Sequence, residues 1–175
     1  MRKTMLTQRS KDMERLMTAL ELCRKLHAGQ VDKCDQPYWI HPFTVAMRGF
    51  TRYGDVKSIS YAIVGLLHDI PEDTGMAVEA LAQLIELTDE EIAAIKLLTR
   101  QNGMSYTEYI DSIMESENEI AINVKIEDLL HNMNLDRFDD AGIIITNRDK
   151  NRFDKYKEAF DKLYQFYSKN HQLLR

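Results

Sequence analysis

Pro71 lies three residues beyond His68, at the end of the most apolar stretch of the chain, and it dictates where that stretch stops being helical. From Asp55 to Leu67 the apolar residues Ile59, Ala62, Ile63, Leu66 and Leu67 fall on or near one face, the spacing of a buried helix. A proline inside a helix kinks or breaks it, and it biases the residue before it, Ile70, away from helical geometry. The helix is therefore expected to end at or near His68-Asp69. An imidazole and a carboxylate at a helix end can face a cavity, and an acidic pair, Glu72-Asp73, follows at once.

The rest of the chain reads as helices too. Only 7 Gly and 3 Pro in 175 residues leave little room for the turns of an all-β fold. Apolar residues recur at helical spacing from Lys11 to His27, where Ala28-Gly29-Gln30 supplies the stop signal. Val31 to Pro37 reads as a polar loop, and Pro42 suits the first turn of a helix continuing through Phe43 to Phe50. Further helices are expected over Val78 to Leu87, Asp89 to Leu98 (opened by Thr88 as N-cap with Glu91), Tyr106 to Met114, Ala121 to Met133 and Arg152 to His171. The expectation is one all-α domain over 1–175, of about seven or eight helices, with its motifs between about 23 and 138 and a closing helix from about 150 to 171.

A formal charge of -5 and a pI near 5.6 argue against a general nucleic-acid binder. Cys23 and Cys34 show no metal-site spacing and read as free thiols of a reducing compartment. No apolar run approaches the ~20 residues of a membrane span, and no apolar segment follows the charged N-terminus, so a cytoplasmic protein without a signal peptide is expected. The oligomeric state is not legible.

His41, His68, Asp69 and Asp128 form a two-His, two-Asp candidate set for one divalent metal. A mixed His/Asp set without thiolate suits Mn²⁺, Fe²⁺ or Zn²⁺, and four ligands on a six-coordinate ion leave room for water and a phosphate oxygen. That chemistry is metal-dependent phosphate hydrolysis. Asp128 falls on an otherwise apolar helix, where it needs either a hydrogen-bond donor or an ion. Glu72 and Asp73 have two readings, an acidic first turn favoured by the helix dipole or carboxylates that orient and deprotonate water.

The segments His27-Ala28-Gly29-Gln30, Pro37-Tyr38-Trp39-Ile40-His41-Pro42, Leu66-Leu67-His68-Asp69, Glu72-Asp73-Thr74 and Val124-Lys125 through Asp128, then His131-Asn132-Met133, resemble the HD phosphohydrolase superfamily. More narrowly, they resemble the hydrolase domain of the Rel/Spo-type alarmone enzymes and their small stand-alone relatives. The resemblance implies an all-α fold and Mn²⁺ held by His41, His68, Asp69 and Asp128. It implies that Glu72 and Asp73 act on the water and the pyrophosphate, with Asn132 contacting the nucleotide and Lys33 and Lys125 as further substrate-binding candidates. The implied reaction removes the 3′-pyrophosphate from guanosine tetra- or pentaphosphate, and the chain length implies a hydrolase-only form.

Two positions depart from the family. Asp32 stands where a basic residue usually helps hold the nucleotide, and Leu129 stands where the family usually reads Asp-Arg-Leu-His-Asn. Arginine offers a planar, bidentate donor pair that neither replacement can supply. The alternatives are therefore a nucleotide phosphatase of the wider superfamily, acting on a 5′-monophosphate, and a nucleotide-binding module without turnover. The tail from Thr146 to Leu174 carries Arg148, Lys150, Arg152, Lys155 and Lys157, whose basic face is either solvated or lends charge near a phosphate.

Overall fold

The computed structural model describes residues 2–53 and 57–170, with side chains placed from 8 to 52 and from 57 to 169. Among the described residues the chain forms ten helices: α1 (Arg2–Leu26), α2 (Ile40–Tyr53), α3 (Ser58–Leu67), α4 (Ile70–Thr74), α5 (Val78–Ile85), α6 (Asp89–Leu98), α7 (Tyr106–Glu115), α8 (Glu119–Asn132), α9 (Asp136–Asp140) and α10 (Asn147–Asn170). No strand forms among them, only one isolated antiparallel bridge between Val31 and Pro37. The all-α expectation holds. Eight helices have eight residues or more, and the two short ones, α4 and α9, account for the excess over the expected number.

The boundaries follow local chemistry. α3 stops at Leu67, and the chain restarts as α4 with Pro71 in its first turn, so His68 and Asp69 occupy the joint between two helices. Gly75 closes α4 in the left-handed conformation, at φ 72°, which costs glycine nothing. Thr88 and Glu91 form the expected reciprocal capping box, and Ser105 and Glu108 form a second one. α8 begins two residues earlier than the apolar pattern suggests, because Asn118 caps it. α10 begins at Asn147, where Thr146 and Asp149 bond each other reciprocally. The expected start at Asp55 and the helix end at His171 lie outside the described residues, as does Leu174.

The core sits where α2, α3 and α8 meet, and α8 is buried along most of its length, from Ile120 to Val124 and from Ile126 to Leu129. α2 and α3 run antiparallel. Gly49 faces Tyr61, Ala46 faces Gly65, and His41 faces His68 with ring centroids 5.5 Å apart. Gly65 is what allows this approach, because a Cβ there would lie 2.8 Å from Ala46 Cα. Glu91, fully buried, ties three helices together through Arg15 of α1, Ser60 of α3 at 2.8 Å and the Thr88 N–H of its own cap at 2.8 Å. Both cysteines are free and buried. No helix among the described residues is long and apolar enough to cross a membrane.

Candidate metal centre

Three helix ends and one helix interior converge. His41 comes from the first turn of α2, His68 and Asp69 from the α3–α4 joint, and Asp128 from the third turn of α8. Donor atoms of His41, His68 and Asp128, all buried, lie within 4.8 Å of one another. Asp69 reaches both rings. Its Oδ1 is 3.1 Å from His68 Nε2 and its Oδ2 is 3.4 Å from His41 Nε2. Asp128 Oδ1 lies 3.1 Å from His41 Nε2 and 3.9 Å from His68 Nε2.

The donor set fits a divalent cation. His68 Nδ1 lies 2.8 Å from the Gly65 carbonyl, so that nitrogen carries the proton. The Nε2 lone pair then points toward two carboxylates, buried and without a hydrogen-bond partner. A lone pair facing carboxylates is favourable only with a positive charge between them. The surrounding carboxylates favour a positive charge here, whether a proton or a metal ion. Burial opposes charge on both histidines, yet Asp128 and Asp69 raise His41 to about 9 and also raise His68. Burial likewise opposes the Asp69 anion, and His68 and His41 hold it well below the usual carboxylate range. The cluster, with no thiolate in it, is one that a divalent metal can occupy.

A second layer of side chains fixes the carboxylates. Lys125 Nζ donates to Asp128 Oδ2 at 2.8 Å, and Asn132 Nδ2 donates to Asp128 Oδ1 at 2.6 Å. Against the cost of burial, Lys125 and the two histidines push the Asp128 carboxyl far down. The Tyr38 hydroxyl donates to Asp69 Oδ2 at 2.8 Å.

These groups line a cleft of about 340 Å³ together with Glu72, Asp73 and Arg100. Glu72 Oε1 accepts from the Arg100 N–H. Asp73 keeps its carboxyl raised, by burial first and by the neighbouring Asp69 second. A cavity of about 220 Å³ adjoins through Tyr38, His41, Asn132 and Tyr156, and it adds Lys33, Arg137 and Arg152. A larger, more open hollow of about 450 Å³ lies over Arg24 and Trp39 and contains none of the candidate ligands.

The candidates thus differ in placement. His41, His68, Asp69, Asp128, Glu72, Asp73, Lys125 and Asn132 share the cleft, whereas Lys33 lines the adjoining cavity and pairs with Asp149 at 2.7 Å. Sequence reading gave no role to Tyr38, Arg100, His131 or Arg137. His131 had a signal, since it follows Asp128 by three residues on one helix. Arg137 had none, because it sits on α9, a helix too short for apolar periodicity to reveal. Of the basic tail, Arg152 reaches the cavity and pairs with Asp149, Lys155 lies over the Tyr106 ring at 3.9 Å and Lys157 pairs with Asp161.

No family model matches the chain. Curated relatives match parts of it. A guanosine-3′,5′-bis(diphosphate) 3′-pyrophosphohydrolase of Borreliella burgdorferi is 36% identical over 80 residues, which is 46% of this chain and 11% of that protein. A probable enzyme of the same name from Synechocystis is 34% identical over 117 residues, 62% of this chain and 15% of its own. A probable GTP pyrophosphokinase of Mycobacterium leprae is 30% identical over 129 residues, 69% of this chain and 16% of its own. The chain therefore spans 11–16% of the length of these relatives. A solved structure described as a metazoan ortholog of SpoT that hydrolyses ppGpp shares the fold, with a TM-score of 0.65 at 17% identity over 91% of this chain and 97% of that one. The chain is thus similar in sequence to Rel/Spo-type enzymes over part of their length and shares the all-α fold of one such structure. In this Rel/Spo-like chain the two departures have structural explanations. Leu129 is fully buried in the core, and Asp32 shapes its loop, accepting from the Cys34 and Gln36 N–H groups at 2.8 and 2.9 Å while pairing with Arg137.

Proposed function

We propose that this protein is a cytoplasmic, metal-dependent phosphohydrolase that removes the 3′-pyrophosphate of a guanosine alarmone, with Mn²⁺ held by His41, His68, Asp69 and Asp128. The observation that carries this reading is the unpartnered His68 Nε2 lone pair turned toward Asp69 and Asp128 beside His41. The 3′-pyrophosphohydrolase names of the relatives support the substrate. A divalent ion in this place supplies Lewis acidity toward water and offsets phosphate charge.

The chain's own groups do the rest. Asp73, with its raised carboxyl beside Asp69, takes a proton from water, and Glu72, anchored on the Arg100 N–H, holds the water's approach. Lys125 and Arg100 bring positive charge to the cleft wall for the phosphate, and Asn132 and Lys33 stand toward the nucleoside side. The ligand is a small phosphorylated nucleotide rather than a nucleic acid or a membrane surface.

A second reading has its own observation. The cation expected at position 32 is a carboxylate, and the one expected at position 129 is a buried leucine, so a different nucleotide losing orthophosphate is the alternative. The test is to incubate Mn²⁺-loaded protein with guanosine tetraphosphate and a nucleotide panel, assaying pyrophosphate and orthophosphate separately. Pyrophosphate from the alarmone supports the proposal. Orthophosphate from another nucleotide selects the second reading, and binding without turnover selects a nucleotide-binding module.

A further inference from the structure

One neighbour of the candidate ligands belongs to none of the roles above. His131, 5% exposed, places its Nδ1 2.7 Å from Nδ1 of His41, with the ring centroids 4.7 Å apart. Two nitrogens at that distance share one proton, and distance alone does not say which ring owns it. Arg137 settles the ownership. Its Nη1 lies 3.0 Å from the same His131 Nδ1 and 3.2 Å from the His131 carbonyl oxygen. A guanidinium only donates, so His131 Nδ1 is the acceptor and carries no proton. The proton between the rings therefore belongs to His41 Nδ1. That leaves His41 Nε2 as the nitrogen facing Asp69 and Asp128.

Arg137 is itself held. Its Nη2 pairs with Asp32 Oδ2, and Asp32 Oδ1 is fixed by two backbone N–H groups of the 31–37 loop. Phe138, the next residue on α9, packs edge-on against Phe153 of α10 with centroids 5.6 Å apart, which holds α9 in place.

We propose that His131 is a positioning residue for His41: backed by Arg137 and Asp32, it accepts the His41 Nδ1–H and so presents His41 Nε2 as the metal ligand. The inference rests on the metal reading of the site. It also gives Asp32 a use: the carboxylate standing where a nucleotide-binding cation was expected is an outer support of the metal centre. Groups that orient a ligating histidine in this way are typically worth ~10–100-fold in metal affinity.

The test compares Mn²⁺ titrations of the wild-type protein, His131→Leu and His131→Gln, with circular dichroism to establish folding. His131→Leu keeps bulk but offers no acceptor, and its affinity is expected to fall about 10–100-fold. His131→Gln can accept through Oε1 and should recover most of that loss. Long-range ¹H–¹⁵N spectra of the Zn²⁺-loaded wild-type protein give a readout independent of the variants' folding, and they should show His41 protonated at Nδ1 and coordinating through Nε2. Coordination through Nδ1, wild-type affinity in folded His131→Leu, or equal losses in Leu and Gln would each overturn the role of His131. Failure of the wild-type protein to bind Mn²⁺ or Zn²⁺ would instead overturn the metal reading beneath it.

Discussion

The contact between α2 and α3 at Gly65 makes a quantitative prediction about the site that the two helices build. An ideal Cβ on Gly65 would meet Ala46 Cα at 2.8 Å, Ala46 N at 3.0 Å and Ala46 Cβ at 3.2 Å. Ordinary contact begins at 3.4 Å, so Gly65→Ala forces the helices apart by about 0.6 Å. Overpacking of this kind costs ~1–3 kcal/mol, and alanine's better helix propensity returns ~0.5–1 kcal/mol, for a net loss on the order of 1–2 kcal/mol. In a chain of this size that is a fall in Tm of roughly 2–8 °C.

The same displacement acts three residues from His68 and across from His41, and binding constellations tolerate only ~0.5 Å. Mn²⁺ affinity should therefore fall about tenfold or more. Gly49→Ala is the internal control. Its Cβ would meet Tyr61 Cβ at 3.5 Å, an ordinary contact, so it should stabilise slightly and leave Mn²⁺ binding unchanged. Adding Ala46→Gly to Gly65→Ala should recover little, because the two closest atoms belong to the backbone. Thermal melts and Mn²⁺ titrations of these four proteins read both effects. Gly65→Ala melting at or above wild type with unchanged Mn²⁺ affinity would refute the idea that this glycine sets the helix spacing.

Three other outcomes are expected. Glu91→Ala takes a fully buried acceptor from the half-buried Arg15 and Ser60 and from the Thr88 N–H, while Arg15 keeps Asp12 at 3.3 Å, and urea unfolding should show a loss of ~1–3 kcal/mol; no measurable loss would mean the network is dispensable. Lys33, then Thr146, hold the Asp149 carboxyl below its usual 3.8. Its contribution is therefore present above about pH 4 and lost as the pH falls further, so the difference in urea midpoint between wild type and Asp149→Asn should shrink under acid, and a difference constant with pH would contradict this. Asp73→Asn and Glu72→Gln should each lower turnover about 10²–10⁴-fold with Mn²⁺ affinity retained, as a paired titration and rate measurement would show, and near-wild-type rates would remove Asp73 from proton transfer or Glu72 from holding the water.

Much of the fold was legible because its signals are local. Pro71 marked the break near His68-Asp69, Thr88 and Glu91 marked the cap of α6, and apolar spacing marked α3, α8, most of α10 and the part of α1 from Lys11 onward. Several polar pairings of the site were not legible, some because the chain brings the partners together over long separations and others because a short-range pairing leaves no distinctive mark. Lys125 has Asp128 as its partner three residues away, a pairing that helix geometry permits without requiring. Asp32 reads as the loss of a nucleotide contact until its partner on α9 is seen, and five residues are too few to carry a helical pattern. The closeness of Gly65 to Ala46 leaves no mark in either segment alone.

The polar links around the site also bear on when it forms. His41 meets His131 across 90 residues, Asp32 meets Arg137 across 105, and Lys33 meets Asp149 across 116. Each closes a long loop whose entropy must be lost before the contact repays it, so these links should be among the last made as the chain folds. During synthesis His41 and His68 emerge early, but the residues that orient His41 and anchor the 31–37 loop arrive only from the end of α8 to the start of α10. A nascent chain would thus hold a helical core well before it held a finished metal centre, and competence for divalent cations would be one of the last properties the folding protein acquires.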